Sequence, residues 1–312
     1  MKKAISIILA AAMLVAVLAA CGKTTPSGDA NYGTTPTPTA NNTPAENAPT
    51  APAATTNNAG ITVISREDGS GTRGAFVELF GVLDENKADQ TADFAEITNS
   101  TSVMMTSVAG DPNAIGYISL GSLNTTVKAA QIDGAAASVA NIENGSYGIS
   151  RPFNIAINAG ISEVAQDFVE FILSKDGQDV VENSGYIRRA DTGAYGGTNP
   201  SGKVVVAGSS SVSPVMEKLI EAYLAINSGA DIELQTSDSS TGMKSAIDGV
   251  CDIGMASRDL KDSEIESGLR GITIATDGIA VIVNNGSAVD GLTKEQVRQI
   301  FTGEIKNWSE IG

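Results

Sequence analysis

The stretch Ser65-Arg66-Glu67-Asp68-Gly69-Ser70-Gly71-Thr72-Arg73 gathers groups that can surround a small oxyanion. Arg66 supplies a forked guanidinium, and Ser70 and Thr72 supply hydroxyl donors. The stretch lies between a short apolar strand, Ile61 to Ile64, and a helix expected from Gly74 to Leu83. A helix start presents unpaired backbone N–H groups and the positive end of the helix dipole, which favours an anion there. Asp68 is near enough in sequence to brace Arg66.

Three further turns rich in Ser, Thr and Gly stand at strand-to-helix junctions, at 208–213, 237–242 and 256–259. A strand from Lys203 to Ala207 leads into the first, where Ser213 is expected as helix N-cap with Pro214 at the first helical position. Asp231 to Thr236 leads into the second, and Cys251 to Met255 into the third. One such turn alone reads as a plain helix cap. Four in one folded region, one of them carrying Arg66, point to an anion site outside the carboxyl ends of the strands. Other expected strands are Ala114 to Leu120, Ile155 to Asn158, Ile272 to Thr276 and Ile279 to Asn284. Ser162 to Leu173 is an amphipathic helix, and Thr293 with Gln296 forms a capping box for a helix reaching Phe301. The alternation of strands and helices gives an α/β class with mainly parallel sheets.

The composition excludes several functions. The chain has no histidine, which removes Ser-His-Asp and Cys-His catalysis and the commonest zinc ligand. No metal-ligand spacing appears and no cofactor is implied. The formal charge of −16 argues against nucleic acid, yet short-range donors in a cleft outweigh distant screened charge. Gly69-Ser-Gly71-Thr-Arg-Gly74 satisfies G-x-G-x-x-G, but four residues separate it from the strand, a poor fit to a dinucleotide fingerprint. A serine hydrolase lacks its histidine and its G-x-S-x-G elbow. Cys251 reads as a small buried hydrophobe, Met104-Met105 as core or helix face, and Trp308 as packing.

The first residues form a secretory signal: basic Lys2-Lys3, an apolar run from Ala4 to Val17, and Leu18-Ala19-Ala20-Cys21 as a cleavage site. That pattern resembles a bacterial lipobox, which implies cleavage after residue 20 and acylation of Cys21, for example by palmitate. Residues 21–59, rich in Thr, Pro, Asn and Ala, read as a disordered tether spanning about 35 Å root-mean-square. About 250 residues remain, enough for one large domain or two lobes.

Gly208-Ser-Ser-Ser-Val-Ser-Pro214, Ser239-Ser-Thr-Gly-Met-Lys244, Asp252-Ile-Gly-Met-Ala-Ser-Arg258 and Arg66-Glu-Asp-Gly-Ser-Gly-Thr72 resemble the ligand loops of the phosphate-binding lipoproteins of Pst-type ABC importers. Asn113 to Ser119, Asn144 to Phe153 and Phe301 to Trp308 extend the resemblance across about residues 60 to 312. It implies a two-lobed, periplasmic-binding-protein-like fold of type II, with 60–145 and 279–312 in one lobe and 146–278 in the other. It further implies a monomeric, non-enzymatic solute-binding protein. Held to the outer face of the cell membrane by lipid, this would pass inorganic phosphate to ABC permease subunits. Sulfate, molybdate or a sensing role without transport are the alternatives.

The loop order is reversed relative to that family, so that reading 200–312 before 60–190 restores it. A circular permutant, joined through the Gly- and Pro-rich segment 188–203, is one explanation, and a truncated chain is the other. By the same resemblance, Ser211, the backbone of Val212, Ser239, Ser257, Arg258, Arg66, Ser70, Gly71 and Thr72 bind phosphate, Gly71 through its N–H. The family carries an Asp where Arg258 stands, to accept the proton of phosphate and select against sulfate. Asp259, Asp238 and Asp68 are the candidates for that role here.

Overall fold

The computed structural model describes residues 60–311; the signal, Cys21 and the tether lie outside the described residues. The first half of this region gives β1 (Thr62–Arg66), α1 (Gly71–Phe80), β2 (Glu96–Thr98), α2 (Thr101–Gly110), β3 (Ala114–Ser119) and the two-residue strands β4 (Lys128–Ala129) and β5 (Gln131–Ile132). It continues with α3 (Val139–Glu143), β6 (Ser150–Ile157), α4 (Glu163–Leu173), α5 (Lys175–Asn183) and β7 (Ile187–Arg188). The second half gives β8 (Gly202–Ser209), α6 (Ser213–Ile226), β9 (Ala230–Ser237), α7 (Ser239–Ile247) and β10 (Ile253–Ala256). It ends with α8 (Asp262–Glu266), β11 (Arg270–Val283), β12 (Gly291–Leu292) and α9 (Lys294–Phe301).

Two parallel strand sets form the arms of one sheet, in the order β2-β1-β3-β11-β6-β10-β8-β9. At one end β1 lies between β2 and β3; at the other β8 lies between β10 and β9. Antiparallel β6 and β11 join them. The sheet is therefore more mixed than the expected mainly parallel one. The two strands expected at 272–276 and 279–284 are one strand of 14 residues. Asp277 and Gly278 do not break it because they stay in register with Arg151 and Ser150 of β6. The first part of β11 pairs with β6 and its last five residues with β3, so one strand passes from lobe to lobe.

Two lobes follow from where the apolar side chains collect. One core gathers Phe153, Ile155, Phe168, Val206, Leu219, Tyr223 and Ile253. The other gathers Val63, Phe76, Tyr117, Val281, Ile300 and Phe301, with Trp308 packed in it. Tyr147 and Ile149, assigned to the second lobe from sequence, pack in this other core, where the Tyr147 hydroxyl donates to the Ile279 carbonyl at 2.7 Å. Met104 is fully buried and Cys251 is a free buried thiol, both as expected. The segment between β7 and β8 is irregular. Asp167 fastens it by accepting from the Tyr195 hydroxyl and from the Thr198 N–H at 3.1 Å. Among the described residues no helix is long and apolar enough to cross a membrane.

Candidate oxyanion site

The 65–73 loop is set by β1 and α1. Gly69 takes a left-handed φ of 87°, and the Ser70 side chain accepts from Arg73 N–H at 3.3 Å to cap α1. The helix thus begins at Gly71, three residues earlier than the periodicity suggested, and Gly71 and Thr72 form its first turn. Their N–H groups have no intrahelical acceptor. Behind them, the buried Tyr117 hydroxyl bonds the Ser65 hydroxyl at 2.8 Å and accepts from Arg66 N–H at 3.2 Å, fixing the end of β1. Burial pushes the Tyr117 phenol up to about 12, so it stays protonated.

Arg66 is 2 % exposed. Its brace is Glu67 rather than Asp68: Nε and Nη2 each donate to the Glu67 carboxylate at 2.7 Å. Glu67 N–H is held by the Thr98 carbonyl at 2.9 Å, and its longer side chain folds back onto the guanidinium. Asp68 points outward, its side chain fully exposed, and pairs with Arg73 Nη1 at 3.1 Å. Arg73 also donates to the Arg66 carbonyl at 2.8 Å and to Asp89 at 2.7 Å, which ties the loop to its lobe.

The opposite lobe meets this loop directly. Arg66 Nη2 donates to Ser210 Oγ at 3.0 Å, and Thr72 Oγ1 lies 2.7 Å from Ser211 Oγ. Thr101, at the first turn of α2, lies 3.3 Å from the same Ser211 hydroxyl. Ser209 donates to Ser257 Oγ at 3.0 Å, and Ser257 N–H donates to Ser239 Oγ at 3.1 Å. A Cβ on Gly71 would collide with Ser239 Oγ and come within 2.7 Å of Ser257 Oγ, so only glycine permits this approach. Ser240 N–H and Oγ both reach the Gly69 carbonyl at 3.2 Å, closing the rim.

Of the residues named from sequence, Arg66, Ser70, Gly71, Thr72, Ser211, Ser239 and Ser257 therefore come together in one buried ring. Val212 N–H is donated within its own loop, to the Ser209 carbonyl at 3.0 Å. Arg258 turns away: its guanidinium grips Glu264 at 2.8 and 2.9 Å and touches Ser240 Oγ at 3.3 Å. Asp259 is exposed. Asp238 caps α7 by accepting from Thr241 N–H at 2.9 Å, a role that leaves it at the rim. Ser213 is the first residue of α6 rather than its cap, because its hydroxyl bonds the Ser209 carbonyl at 3.2 Å and Thr236 at 2.8 Å. Glu67, Thr101, Ser209 and Ser210 belong to the ring or its support and were missed. Glu67, Ser209 and Ser210 lie inside the loop motifs that carry the resemblance, whereas Thr101 follows a turn without an apolar strand long enough to mark it.

Four helices of at least nine residues, α1, α2, α6 and α7, direct their N-termini at this ring. The ring thus offers one guanidinium, hydroxyls and backbone N–H groups within a water-poor seam, which suits a small anion. A cavity of 810 Å³ opens beside it, bordered by Asp68, Ser70 and Arg73 of one lobe and Ser240, Arg258 and Lys261 of the other. A second cavity of 720 Å³ shares no lining residue with the ring and sets three acids, Glu163, Asp167 and Glu170, against one cation, Arg270, a poor balance for an anion. Among the described residues no group of acids and thiols is arranged to hold a metal ion.

A sequence profile of the PBP superfamily domain matches residues 41–176 and 193–312. A phosphate-binding protein PstS 2 of Streptococcus agalactiae is 56% identical over 256 residues, covering 80% of this chain and 87% of the relative. The corresponding protein of Streptococcus pneumoniae is 45% identical over 255 residues, again covering 80% and 87%. A crystal structure of a phosphate-binding protein of a phosphate ABC transporter from Streptococcus pneumoniae superimposes with a TM-score of 0.65. It is 44% identical and covers 81% of this chain and 100% of that one. The chain belongs to the PBP superfamily and, within it, to the family of the phosphate-binding PstS proteins.

Proposed function

We propose that the protein captures inorganic phosphate between its two lobes and passes it, without catalysis, to an ABC permease. The observation that carries this reading is the ring itself. Arg66, Ser70, Gly71 and Thr72 of one lobe stand against Ser210, Ser211, Ser239 and Ser257 of the other, so a bound anion would be shared between lobes. Hydrogen bonds to a charged group contribute about 1.5–3 kcal/mol each. A micromolar complex needs only about 8 kcal/mol net. Six or more donors supply that after the costs of ordering and desolvation. The seven ring residues named from sequence are the ligands in this reading, with Thr101 beside them.

In this reading the protein is a monomer held by lipid to the outer face of the cell membrane; the support for the anchor is the signal pattern that ends in Cys21. The lobes are residues 60–145 with 279–312, and 146–278, with Tyr147 and Ile149 at the edge of the first. The reversed loop order reads as a circular permutation. Its support is that Gly60 bridges Asn307 and Ile61 N–H donates to the Lys306 carbonyl at 2.8 Å, so the two halves meet there in space. Deleting the gene should lower phosphate uptake by intact cells at limiting phosphate. Unchanged uptake with phosphate binding retained would make the protein a sensor; strong binding of sulfate or molybdate alone would reject phosphate as cargo.

A further inference from the structure

Phosphate near neutral pH keeps a proton, so a cradle made only of donors would leave that proton facing another donor. The carboxylates on the ligand loops are occupied elsewhere: Glu67 on Arg66, Asp68 on Arg73, and Asp238 on Thr241, while Asp259 is exposed. The ring hydroxyls divide into two kinds. The oxygens of Ser70, Ser239 and Ser209 each accept a backbone N–H, from Arg73, Ser257 and Ser211. A hydroxyl has one hydrogen to give: Ser209 gives its own to Ser257, and Ser70 and Ser239 are turned to offer theirs.

Thr72, Ser211 and Thr101 are different. They form a chain of hydroxyls, with 2.7 Å between the first pair and 3.3 Å between the second, and either atom of each pair could be the donor. Three hydroxyls linked by two internal bonds leave one free O–H, at the end that only accepts, while the end that only donates keeps both of its lone pairs open. When Thr101 donates to Ser211 and Ser211 to Thr72, Thr72 offers its hydrogen outward and Thr101 offers its lone pair. All three residues are buried, Thr101 being 4 % exposed, so water competes little for that lone pair.

We propose that Thr101 is a specificity-determining residue of the oxyanion site, accepting the proton of a monohydrogen oxyanion through the Thr72–Ser211–Thr101 chain. The inference rests on the oxyanion reading above. Sulfate, which brings no proton, would meet the lone pair without a hydrogen bond to offset it.

The test is competitive titration of the full protein with phosphate and sulfate, for the parent and for Thr101→Val and Thr101→Ser. The parent should prefer phosphate. Thr101→Val, which keeps the shape and removes the hydroxyl, should weaken phosphate at least tenfold while sulfate affinity stays or rises. Thr101→Ser should restore the preference. Unchanged preference in Thr101→Val would overturn the inference, and so would an equal loss of both anions, which marks a purely structural residue. If Thr101→Val fails to fold by its thermal melt, the serine variant decides: a lost preference in a folded Thr101→Ser overturns the inference, and a retained one supports it. Absence of phosphate binding in the parent itself would instead reject the proposed function.

Discussion

Replacing Arg66 by alanine removes three things at once. It deletes the guanidinium of the ring, the 3.0 Å bond across the lobes to Ser210, and the partner of the Glu67 carboxylate. Loss of one hydrogen bond to a charged group costs about 1.5–3 kcal/mol, which is roughly a ten- to 150-fold weaker complex. Glu67 then stands unpaired near an anion, and at an effective dielectric of about 20 two like charges separated by one intervening group repel by about 2 kcal/mol. Glu67 is 19% exposed on its side chain, so solvent screens part of this. The expected loss of phosphate affinity in Arg66→Ala is therefore roughly two orders of magnitude, with Arg66→Ala/Glu67→Gln recovering about a factor of ten of it. Titration calorimetry measures both, and a thermal melt checks that the fold is kept. Affinity in Arg66→Ala within threefold of the parent would refute the assignment of Arg66. No recovery in the double variant would refute the charge-pairing part of the reasoning.

Two other substitutions probe the close approach at the ring and the strand that runs between the lobes. Gly71→Ala places a methyl against Ser239 and Ser257; it should weaken phosphate binding at least tenfold while barely moving the melting temperature, as read by calorimetry and a thermal melt. Asp277 is buried beside Arg151 where β11 passes between lobes, and burial raises its pKa from 3.8 to about 6 despite the 3.3 Å ion pair. The folded state therefore holds this proton more tightly than the unfolded chain. Stability from this group is greatest below about pH 4 and is lost as pH rises to about 6. Urea melts of the parent against Asp277→Asn across that range should show the parent losing ground as pH rises; a parallel pair of curves would contradict it.

Local patterning carried much of the site. The strand-to-helix turns with Ser, Thr and Gly were legible because caps and tight turns are sequence-local, and the seven ring residues sit in them. What was not legible depended on partners far along the chain. Asp68 was the natural brace for Arg66 on spacing alone, but the backbone bond from Glu67 to Thr98 decides which carboxylate folds inward. Arg258 turns outward because Glu264, six residues on, takes both of its arms. Thr101 enters the ring only because α2 packs beside β1, and the continuity of β11 through Asp277-Gly278 depends on β6 supplying a partner strand. Local signals likewise suggest Ser213 as a cap, whereas Ser209 and Thr236 claim its hydroxyl.

The central claim is that the inter-lobe ring holds inorganic phosphate. Calorimetric titration of the purified protein with phosphate at neutral pH tests it most directly. One saturable site of micromolar or tighter affinity, at about 8 kcal/mol or more, is predicted. No saturable binding up to millimolar phosphate would contradict the account.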